Sequence, residues 1–381
     1  MKITFIIPCL TISGGIRVIA THAKYLRDKG HDIVIVAPKP KNKSFLSWLK
    51  AFIKKRSFQP DSYSDSTYFE INQLSVNTSK TSAIQESDLP DSDFIIATWW
   101  ETAEWISNFS DKKGKKIYFV QHHEIVIDHQ HQNRVKATYR LPFPKITISQ
   151  WLVDLMINEY GNNEKNVYLV PNSVDTNLFN AQARAKNHEP VIGFMYSDLT
   201  WKGSDICLGA IQLVRDQYPN VRVVAFSSVY SSSKIPLPTE VNITFRPPQN
   251  TIRNIYASCD VWLCGSRSEG FSLPILEAMA CRCPVVSVST GIAPEIIKPG
   301  INGFLAPVED IETLAYYLLK VIQLTDLEWQ LMSNAAYETA IGYTWDDAAH
   351  LLEEALMTSY PPANGVMTDR SPLSDATDPT V

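Results

Sequence analysis

The feature that most constrains the fold is a strand-helix-strand pattern within the first 38 residues. Residues 3–8 are nearly all apolar, residues 17–29 carry apolar side chains at helical spacing, and Gly30 ends that pattern. Residues 31–38 (HDIVIVAP) form a second apolar run. Two strands joined by a helix predict a parallel sheet covered by helices on both faces, because parallel strands need a crossover connection.

The same alternation continues along the chain. In the first half, further strands are predicted at residues 93–98, 116–121 and 145–149, and the polar residues 59–92 are predicted as loop. A second series of predicted strands begins near Val167, at residues 167–170, 191–196, 221–227, 243–246, 261–264 and 284–288. Helical patterns lie at residues 205–217, 250–258, 274–281, within 310–340, and at 345–357.

This pattern predicts an α/β protein with two parallel domains in series, as the length of 381 residues allows. The boundaries that we expect are residues 1–170 for an N-terminal domain and 171–342 for a C-terminal domain. An amphipathic helix within 343–360 and a disordered tail at 361–381 complete the chain.

Charge and cysteine usage exclude several classes of protein. A net charge of −5 argues against a surface built for nucleic acid. The six cysteines lie in apolar stretches without the spacing of a zinc site or a disulfide framework, which predicts reduced core residues and a cytoplasmic protein. The opening MKITFIIPCL is interpreted as a first strand, since its apolar run is short and contains Pro8. The sequence contains no run of about 18 apolar residues, so it predicts no membrane-spanning helix.

The most informative segment is SRSEGFSLPILEAMACRC, residues 266–283. It places Glu269 after a buried strand, Gly270 where the backbone must approach another group, and Pro274 near the first turn of a helix. Free backbone N–H groups and the helix dipole at such an N-terminus favour a phosphate group. Glu277 lies within the first two turns, where it can reach hydroxyls beside the phosphate. The alternative is a carboxylate that only stabilises a helix N-terminus.

This segment resembles the retaining glycosyltransferases of the GT-B fold, family 4, whose hallmark is two glutamates separated by seven residues, here Glu269 and Glu277. Other segments that fit are PNSVDTNLF (171–179), WKGSD (201–205), YASCDVWL (256–263) and PEIIKPGINGFLAPVED (294–310). The resemblance covers nearly the whole chain and is strongest over residues 145–320. It implies two Rossmann-like domains facing across a cleft, with the nucleotide sugar mainly on the C-terminal domain and the C-terminal helix returning to the N-terminal domain.

The resemblance also implies roles for individual residues. Lys202 would contact the donor diphosphate, Glu269 the donor sugar near its reacting carbon, and Glu277 the ribose. The backbone at the helix start would bind the diphosphate through Gly270, Phe271, Ser272 and Leu273. Gly14 and Gly15 match the family's glycine loop near the phosphates. The alternatives are a surface or helix-entry lysine for Lys202 and a plain turn for the two glycines.

The chain departs from the family pattern at one cationic position. Family members usually carry an arginine five residues before the phosphate lysine, and Ser197 stands there. Losing a charged hydrogen bond costs about 1.5–3 kcal/mol. Arg246 and Arg267 are the candidates for its replacement. The family also tends to place a histidine near the donor sugar. In FVQHHE this position falls on Gln121, His122 or His123, and we choose His122.

Two segments allow several interpretations. Residues 122–131 (HHEIVIDHQH) hold four of the eight histidines, which suits a metal site, polarity in an acceptor site, or chance at the surface. Residues 39–58 carry seven basic residues and no acidic one, with aromatic and aliphatic side chains on one helical face. That pattern is typical of a helix lying on an anionic membrane, and also of an ordinary helix packed on the domain.

The predicted function is a retaining transfer of a sugar from a nucleoside-diphosphate donor to a glycan or lipid-linked acceptor. The segment FMYSDLTWKGSD is similar to segments of bacterial cell-surface polysaccharide enzymes, which act in the cytoplasm or on the inner face of the membrane. No cofactor or metal is implied, since the nucleotide sugar is a co-substrate. The alternatives are a non-catalytic nucleotide-sugar-binding protein, a sugar-nucleotide epimerase and, remotely, an NAD-dependent oxidoreductase. The last lacks support, because TISGGIRV replaces GxGxxG after the first strand.

Overall fold

The computed structural model describes residues 1–11, 13–39, 67–229 and 234–360. These residues form two α/β domains, each built on one parallel sheet. The tail at 361–381, nearly all of the basic segment 39–58 and the first part of the polar stretch 59–92 lie outside the described residues.

The N-terminal sheet has seven strands in the order β3-β2-β1-β4-β5-β6-β7, and every pairing in it is parallel. Its strands are β1 (Lys2–Ile6), β2 (Asp32–Ala37), β3 (Val76–Thr78), β4 (Phe94–Ala97), β5 (Lys115–Val120), β6 (Lys145–Thr147) and β7 (Val167–Leu169). The helices of this domain are α1 (Gly14–Asp28), α2 (Tyr68–Ile71), α3 (Trp100–Ile106), α4 (Gln132–Tyr139) and α5 (Gln150–Asn158).

The C-terminal sheet has six strands in the order β10-β9-β8-β11-β12-β13, again all parallel. Its strands are β8 (Val191–Met195), β9 (Arg222–Ser227), β10 (Val241–Phe245), β11 (Val261–Cys264), β12 (Val285–Val288) and β13 (Gly303–Ala306). The helices that follow β8 in the chain are α6 (Ser204–Gln217), α7 (Gln249–Ser258), α8 (Leu273–Ala280), α9 (Ala293–Ile296), α10 (Ile311–Gln323), α11 (Asp326–Ile341) and α12 (Trp345–Ser359).

Each sheet reverses its strand order beside its first strand. The reversal lies between β1 and β4 in the N-terminal sheet and between β8 and β11 in the C-terminal sheet. In open parallel sheets, ligands bind in the crevice outside the carboxyl ends of the strands at such a reversal. The glycine pair follows β1, Lys202 follows β8 and Glu269 follows β11, so the topology brings all three loops to these crevices. The predicted pair of Rossmann-like domains is confirmed.

Three strands differ from the sequence prediction. Residues 167–170 were assigned to the second series, but β7 pairs with β6 at the edge of the first sheet. The predicted loop at 59–92 contains α2 and β3, and β3 lacks an apolar run because it is a short edge strand that exposes Asn77 and Thr78. β13 lies in a segment for which the sequence predicts no strand: Gly303 allows the close pairing, since a Cβ there would lie 2.1 Å from the Val285 carbonyl oxygen.

The C-terminal helix α12 packs on the N-terminal domain, as expected. Trp345 meets the ring of His22 from α1 edge-on, with centroids 5.3 Å apart. Glu353 bonds His31 at 3.0 Å, and the Tyr360 hydroxyl beyond the helix end donates to the Lys116 carbonyl of β5 at 3.1 Å. The chain therefore crosses back to the first domain. Across the described ranges, no helix has the length and apolar character needed to span a membrane.

Candidate active site between the two domains

A cavity of about 1000 Å³ lies between the carboxyl ends of the two sheets. Both domains line it, the first with the start of α1 and the loops after β4 and β5, the second with the loops after β8 and β11 and the start of α8. Predicted site residues in its wall are Gly14, Gly15, His122, Ser197, Lys202, Glu269, Gly270, Phe271, Ser272, Leu273 and Glu277. The fold thus brings together residues from loops far apart in the sequence.

Glu269 and Lys202 form the central ion pair of the cavity. The Lys202 ammonium lies 2.8 and 2.9 Å from the two Glu269 oxygens, and the Ser266 hydroxyl donates to the same carboxylate at 2.8 Å. Glu269 is only 7% exposed. Such a pair holds both side chains in place and presents a cation and an anion next to each other. An arriving phosphate can therefore bind the lysine while a hydroxyl donates to the glutamate.

The start of α8 offers unpaired backbone donors to the cavity. Ser272, at the position before the helix, has a φ of 75°, in the left-handed region, and its side chain does not cap the helix. Among the described residues, none accepts a hydrogen bond from the amides of Phe271, Ser272 and Leu273. Buried backbone N–H groups are normally paired, so amides that face a cavity with no acceptor favour an anionic ligand.

Glu277, one turn into α8, is held from two sides. The Tyr256 hydroxyl of α7 donates to its Oε2 at 2.9 Å, and the Arg17 guanidinium of α1 forms an ion pair with its Oε1. Glu277 is 5% exposed and Tyr256 is fully buried. Burial alone would lower the pKa of Arg17, but the Glu277 carboxylate outweighs that effect and the pKa is raised. The ion pair therefore joins the two domains across the cavity.

Two site glycines fit tightly against the protein's own backbone. A Cβ on Gly270 would lie 1.9 Å from the Gln121 carbonyl oxygen of the opposite domain. A Cβ on Gly203, whose φ is +61°, would lie 1.9 Å from the Gly265 carbonyl oxygen. The sequence interpretation placed the diphosphate against Gly270. The structure gives a different cause, since each lets one backbone segment pass close to another.

The N-terminal wall carries buried polar atoms without a partner in the described part of the chain. They are Gln121 Oε1, His122 Nε2, Glu124 Oε1 and Asn172 Oδ1, and all four residues line the cavity. Burial lowers the pKa of His122, against the opposing charge of Glu269. Burial raises the pKa of Glu124 to about 8. Both side chains are therefore favoured in their neutral forms, which suits hydrogen bonding to hydroxyl groups.

The two arginines proposed as substitutes for the missing cation are engaged elsewhere. Arg267 bonds Asp205 at 2.7 Å and Glu309 at 2.6 Å. The Arg246 Nε donates to the Ser228 carbonyl at 3.3 Å. Within the described residues, the arginine and lysine side chains in the cavity wall are those of Arg17, Lys39 and Lys202. Arg246 does not line the cavity, and its assignment to the donor site stays a prediction.

The histidine-rich segment does not converge on one point. His123 bonds the Tyr160 hydroxyl at 2.8 Å, whereas His131 lies 2.9 Å from Asp128 on the surface. Within the parts of the chain that the structure covers, no group of three or more His, Cys, Asp or Glu side chains is placed to hold a metal ion.

Comparison with known proteins finds a family match in the C-terminal domain. Residues 175–338 match the family described as glycosyl transferases group 1. The matched region contains Lys202, Glu269 and Glu277, which line the second-domain wall of the cavity.

The curated relatives are similar to this chain over about half of their own length or less. D-inositol 3-phosphate glycosyltransferase of Mycobacterium marinum is 28% identical over 194 residues, which is 47% of this chain and 40% of that protein. Among solved structures, sucrose-phosphate synthase from Thermosynechococcus elongatus aligns with a TM-score of 0.71 and 15% identity over 93% of this chain and 97% of that chain. HepE from Anabaena, in complex with UDP and glucose, aligns with a TM-score of 0.71 and 18% identity over 94% of this chain and 100% of that chain. The fold is GT-B.

Sequence reasoning missed two residues of this site. Arg17 and Tyr256 lie outside the two-glutamate segment, and their roles depend on contacts between distant parts of the chain. A weak signal existed for Arg17, which follows the glycine pair after Ile16 and is the first residue of the predicted helix at 17–29. Tyr256 begins the YASCDVWL segment that carries part of the family resemblance.

Proposed function

We propose that this protein is a glycosyltransferase that moves a sugar from a nucleoside-diphosphate donor to an acceptor hydroxyl. The observation that carries the proposal is one cavity that holds the Lys202 to Glu269 ion pair, the unpaired amides of α8 and the buried Glu277. Cation, amides and carboxylates together match the three parts of such a donor: diphosphate, sugar and ribose.

The donor is held by residues of the second domain. The amides of Phe271, Ser272 and Leu273, at the positive end of the α8 dipole, bind the diphosphate. Lys202 adds a positive charge on a flexible side chain, which can adjust its position to the phosphate. Glu277, fixed by Tyr256, accepts hydrogen bonds from the ribose hydroxyls.

Catalysis in this proposal is electrostatic. The bond from the anomeric carbon to the diphosphate breaks, and negative charge develops on the leaving oxygen next to Lys202 and the α8 amides. The acceptor hydroxyl attacks from the same face, its oxygen bonds to the anomeric carbon, and its proton passes to the leaving diphosphate. Configuration is retained without an enzyme nucleophile, in contrast to retaining hydrolases. No metal ion or organic cofactor takes part, so turnover persists in a chelating buffer.

The acceptor lies on the N-terminal wall. Trp99, Trp105 and Glu101 line this side of the cavity beside His122 and Glu124. Aromatic faces stack on sugar rings and carboxylates accept from hydroxyls, which favours a glycan or lipid-linked acceptor in cell-surface polysaccharide synthesis. The basic segment 39–58 would then bring the enzyme to the inner face of the membrane. Sedimentation with anionic vesicles tests that location, and absence of binding at low salt contradicts it.

Turnover assays test the function itself. The protein is incubated with UDP-, GDP-, ADP- and dTDP-sugars, and release of nucleoside diphosphate and the anomeric configuration of the product are followed by NMR. We expect turnover with one donor class and retention at the anomeric carbon. Glu269→Ala should lower turnover at least about 100-fold, while Glu338→Ala, an exposed glutamate of α11, should leave it unchanged. Equal turnover in both variants contradicts the assignment.

A second candidate is a nucleotide-sugar-binding protein without transfer activity. The observation that favours it is Ser197, which stands where the family's arginine is expected and whose amide and hydroxyl bond Ser204 and Leu199 within its own loop. Donor binding without any hydrolysis or transfer would support this candidate, whereas measurable turnover excludes it.

A further inference from the structure

Arg17 is the residue of the cavity whose part in the proposed reaction is still open. It is the fourth residue of α1 and belongs to the N-terminal domain, yet its guanidinium pairs with Glu277 of the C-terminal domain. Its side chain is 19% exposed, so the pair is largely withdrawn from solvent while the cavity remains on one side.

Two of the three cations in the described cavity wall are already paired with carboxylates, and the third, Lys39, is exposed beyond the end of β2. Lys202 is already balanced by Glu269, and Arg17 by Glu277. Ser197 carries no charge, and Arg267 is bound to Asp205 and Glu309. A diphosphate brings further negative charge into this wall, and its affinity depends on a second cation as well as on the helix amides.

Arg17 has both the reach and the spare donors for that role. A guanidinium has five N–H donors, and among the described residues Glu277 is its side-chain hydrogen-bond partner through one of them. Glu277 lies four residues beyond Leu273, about 6 Å along the helix axis from the start of α8. A short swing of the Arg17 side chain away from Glu277 therefore places it over the amides that face the anion.

We propose that Arg17 is the second diphosphate ligand of the donor site and replaces, from the opposite domain, the guanidinium that Ser197 lacks. Donor binding exchanges partners: the ribose hydroxyls take over Glu277, and the released Arg17 turns to the diphosphate. The cation that completes the site then comes from the N-terminal domain, so that diphosphate binding ties the two domains together. This inference rests on the proposed function.

Binding measurements with paired ligands test the role of Arg17. Isothermal titration of UDP, GDP, ADP and dTDP identifies the diphosphate that the wild-type protein binds, and that diphosphate is then compared with its nucleoside. Arg17→Ala should weaken the diphosphate about tenfold or more, and leave the nucleoside unchanged or tighter, because Glu277 is free for the ribose. The diphosphate affinity of Arg17→Lys should lie between those of the wild type and Arg17→Ala, since lysine keeps the charge but lacks the paired donors of the guanidinium.

Two further variants distinguish the role from a structural one. Arg27→Ala removes an arginine of the same helix α1 that pairs with Asp28 outside the cavity wall, and it should leave both affinities unchanged. Adding Ser197→Arg to Arg17→Ala should restore affinity for the diphosphate. Unchanged diphosphate affinity in Arg17→Ala overturns the inference, and so does an equal loss for diphosphate and nucleoside. A wild-type protein that binds none of the four diphosphates contradicts the proposed function itself.

Discussion

At the scale of single residues, the two glutamates of the cavity are held in different ways. Glu269 is fixed within its own domain, by Lys202 and the Ser266 hydroxyl. Glu277 is fixed by Tyr256 of its own domain and by Arg17 of the other. The first arrangement keeps a carboxylate in place whatever the domains do, whereas the second makes the position of a carboxylate depend on how the domains meet.

Removing the Tyr256 hydroxyl should make the position of Glu277 less fixed without leaving a cavity in the core. Tyr256→Phe keeps the buried ring and removes a hydrogen bond to a carboxylate, which is worth about 1.5–3 kcal/mol. We expect weaker binding of the donor nucleotide, by about tenfold, with a small loss of thermal stability. Titration calorimetry and a melting curve measure the two effects. Tyr316→Phe, an exposed tyrosine of α10, is the control, and equal nucleotide affinity in both variants contradicts the role of Tyr256.

Glu124 should give stability a distinct pH dependence. Burial raises its pKa from 4.5 to about 8 in the folded protein. Between these values the folded chain keeps a proton that the unfolded chain releases, so its contribution to stability falls as pH rises through this window, by at most about 1.4 kcal/mol per pH unit. His22 and Lys145, whose pKa values burial lowers to about 3 and about 7, act with the opposite sign.

The Glu124 contribution is isolated by a variant. Glu124→Gln keeps the shape and cannot ionise, so the difference in unfolding free energy between variant and wild type should shift in favour of the variant as pH rises from about 5 to 8. Chemical denaturation at several pH values measures this difference. A difference that stays constant across the window contradicts the assignment of the raised pKa to Glu124.

At the scale of elements, close backbone crossings decide where the loops of the site lie. The loop after β11 passes the Gln121 carbonyl at Gly270, whose own carbonyl accepts from the Ser149 hydroxyl at 2.8 Å and from the Trp151 indole at 3.0 Å. This crossing, together with the α8 start directly after it, sets the distance between the two walls of the cavity.

Alanine substitutions separate such crossings from ordinary glycines. Gly270→Ala and Gly203→Ala place a Cβ 1.9 Å from a backbone oxygen, and Gly203 also has a positive φ, so both should destabilise the protein by several kcal/mol. Gly14→Ala meets nothing within 4 Å and lies in the first turn of α1, so it should be neutral or slightly stabilising. Melting temperatures of the three variants test this, and similar values for all three contradict it.

The elements were largely predictable and the contacts between them were not. Continuous apolar runs such as that of β11 mark buried strands, and the residues from Ser266 to Cys283 carry the local signal of a helix N-terminus with two carboxylates. The sequence does not predict β3, because a short, polar edge strand has no such run. The sequence does not predict the pairing of Arg17 with Glu277, because local patterns cannot indicate a contact between positions 260 residues apart.

At the scale of the whole molecule, α12 ties the end of the chain to its beginning. Its Trp345 is buried against His22 of α1, and Glu353 bonds His31 ahead of β2. The N-terminal domain is therefore completed by a helix that the chain makes last, after the C-terminal domain.

Trp345→Ala should consequently destabilise the N-terminal domain. Loss of a buried tryptophan costs about 3–5 kcal/mol, and the affected contacts lie on α1 rather than on the donor-binding loops. We expect hydrogen exchange to accelerate in α1 and β2 more than in β8 and β11. Leu351→Ala, a partly exposed position of the same helix, should have a smaller effect. Equal acceleration in both sheets contradicts this division.

The central claim is that the cavity between the domains binds a nucleoside diphosphate through Lys202, Glu277 and the start of α8. The most direct measurement is a thermal-shift series with UDP, GDP, ADP and dTDP on the wild-type protein and on Glu277→Gln. A ligand at 100 times its dissociation constant stabilises by about 2.7 kcal/mol, so for a chain of 381 residues the matching nucleotide should raise the melting temperature by about 3 °C. The same nucleotide should shift Glu277→Gln much less. A wild-type melting temperature that none of the four diphosphates raises would contradict the account.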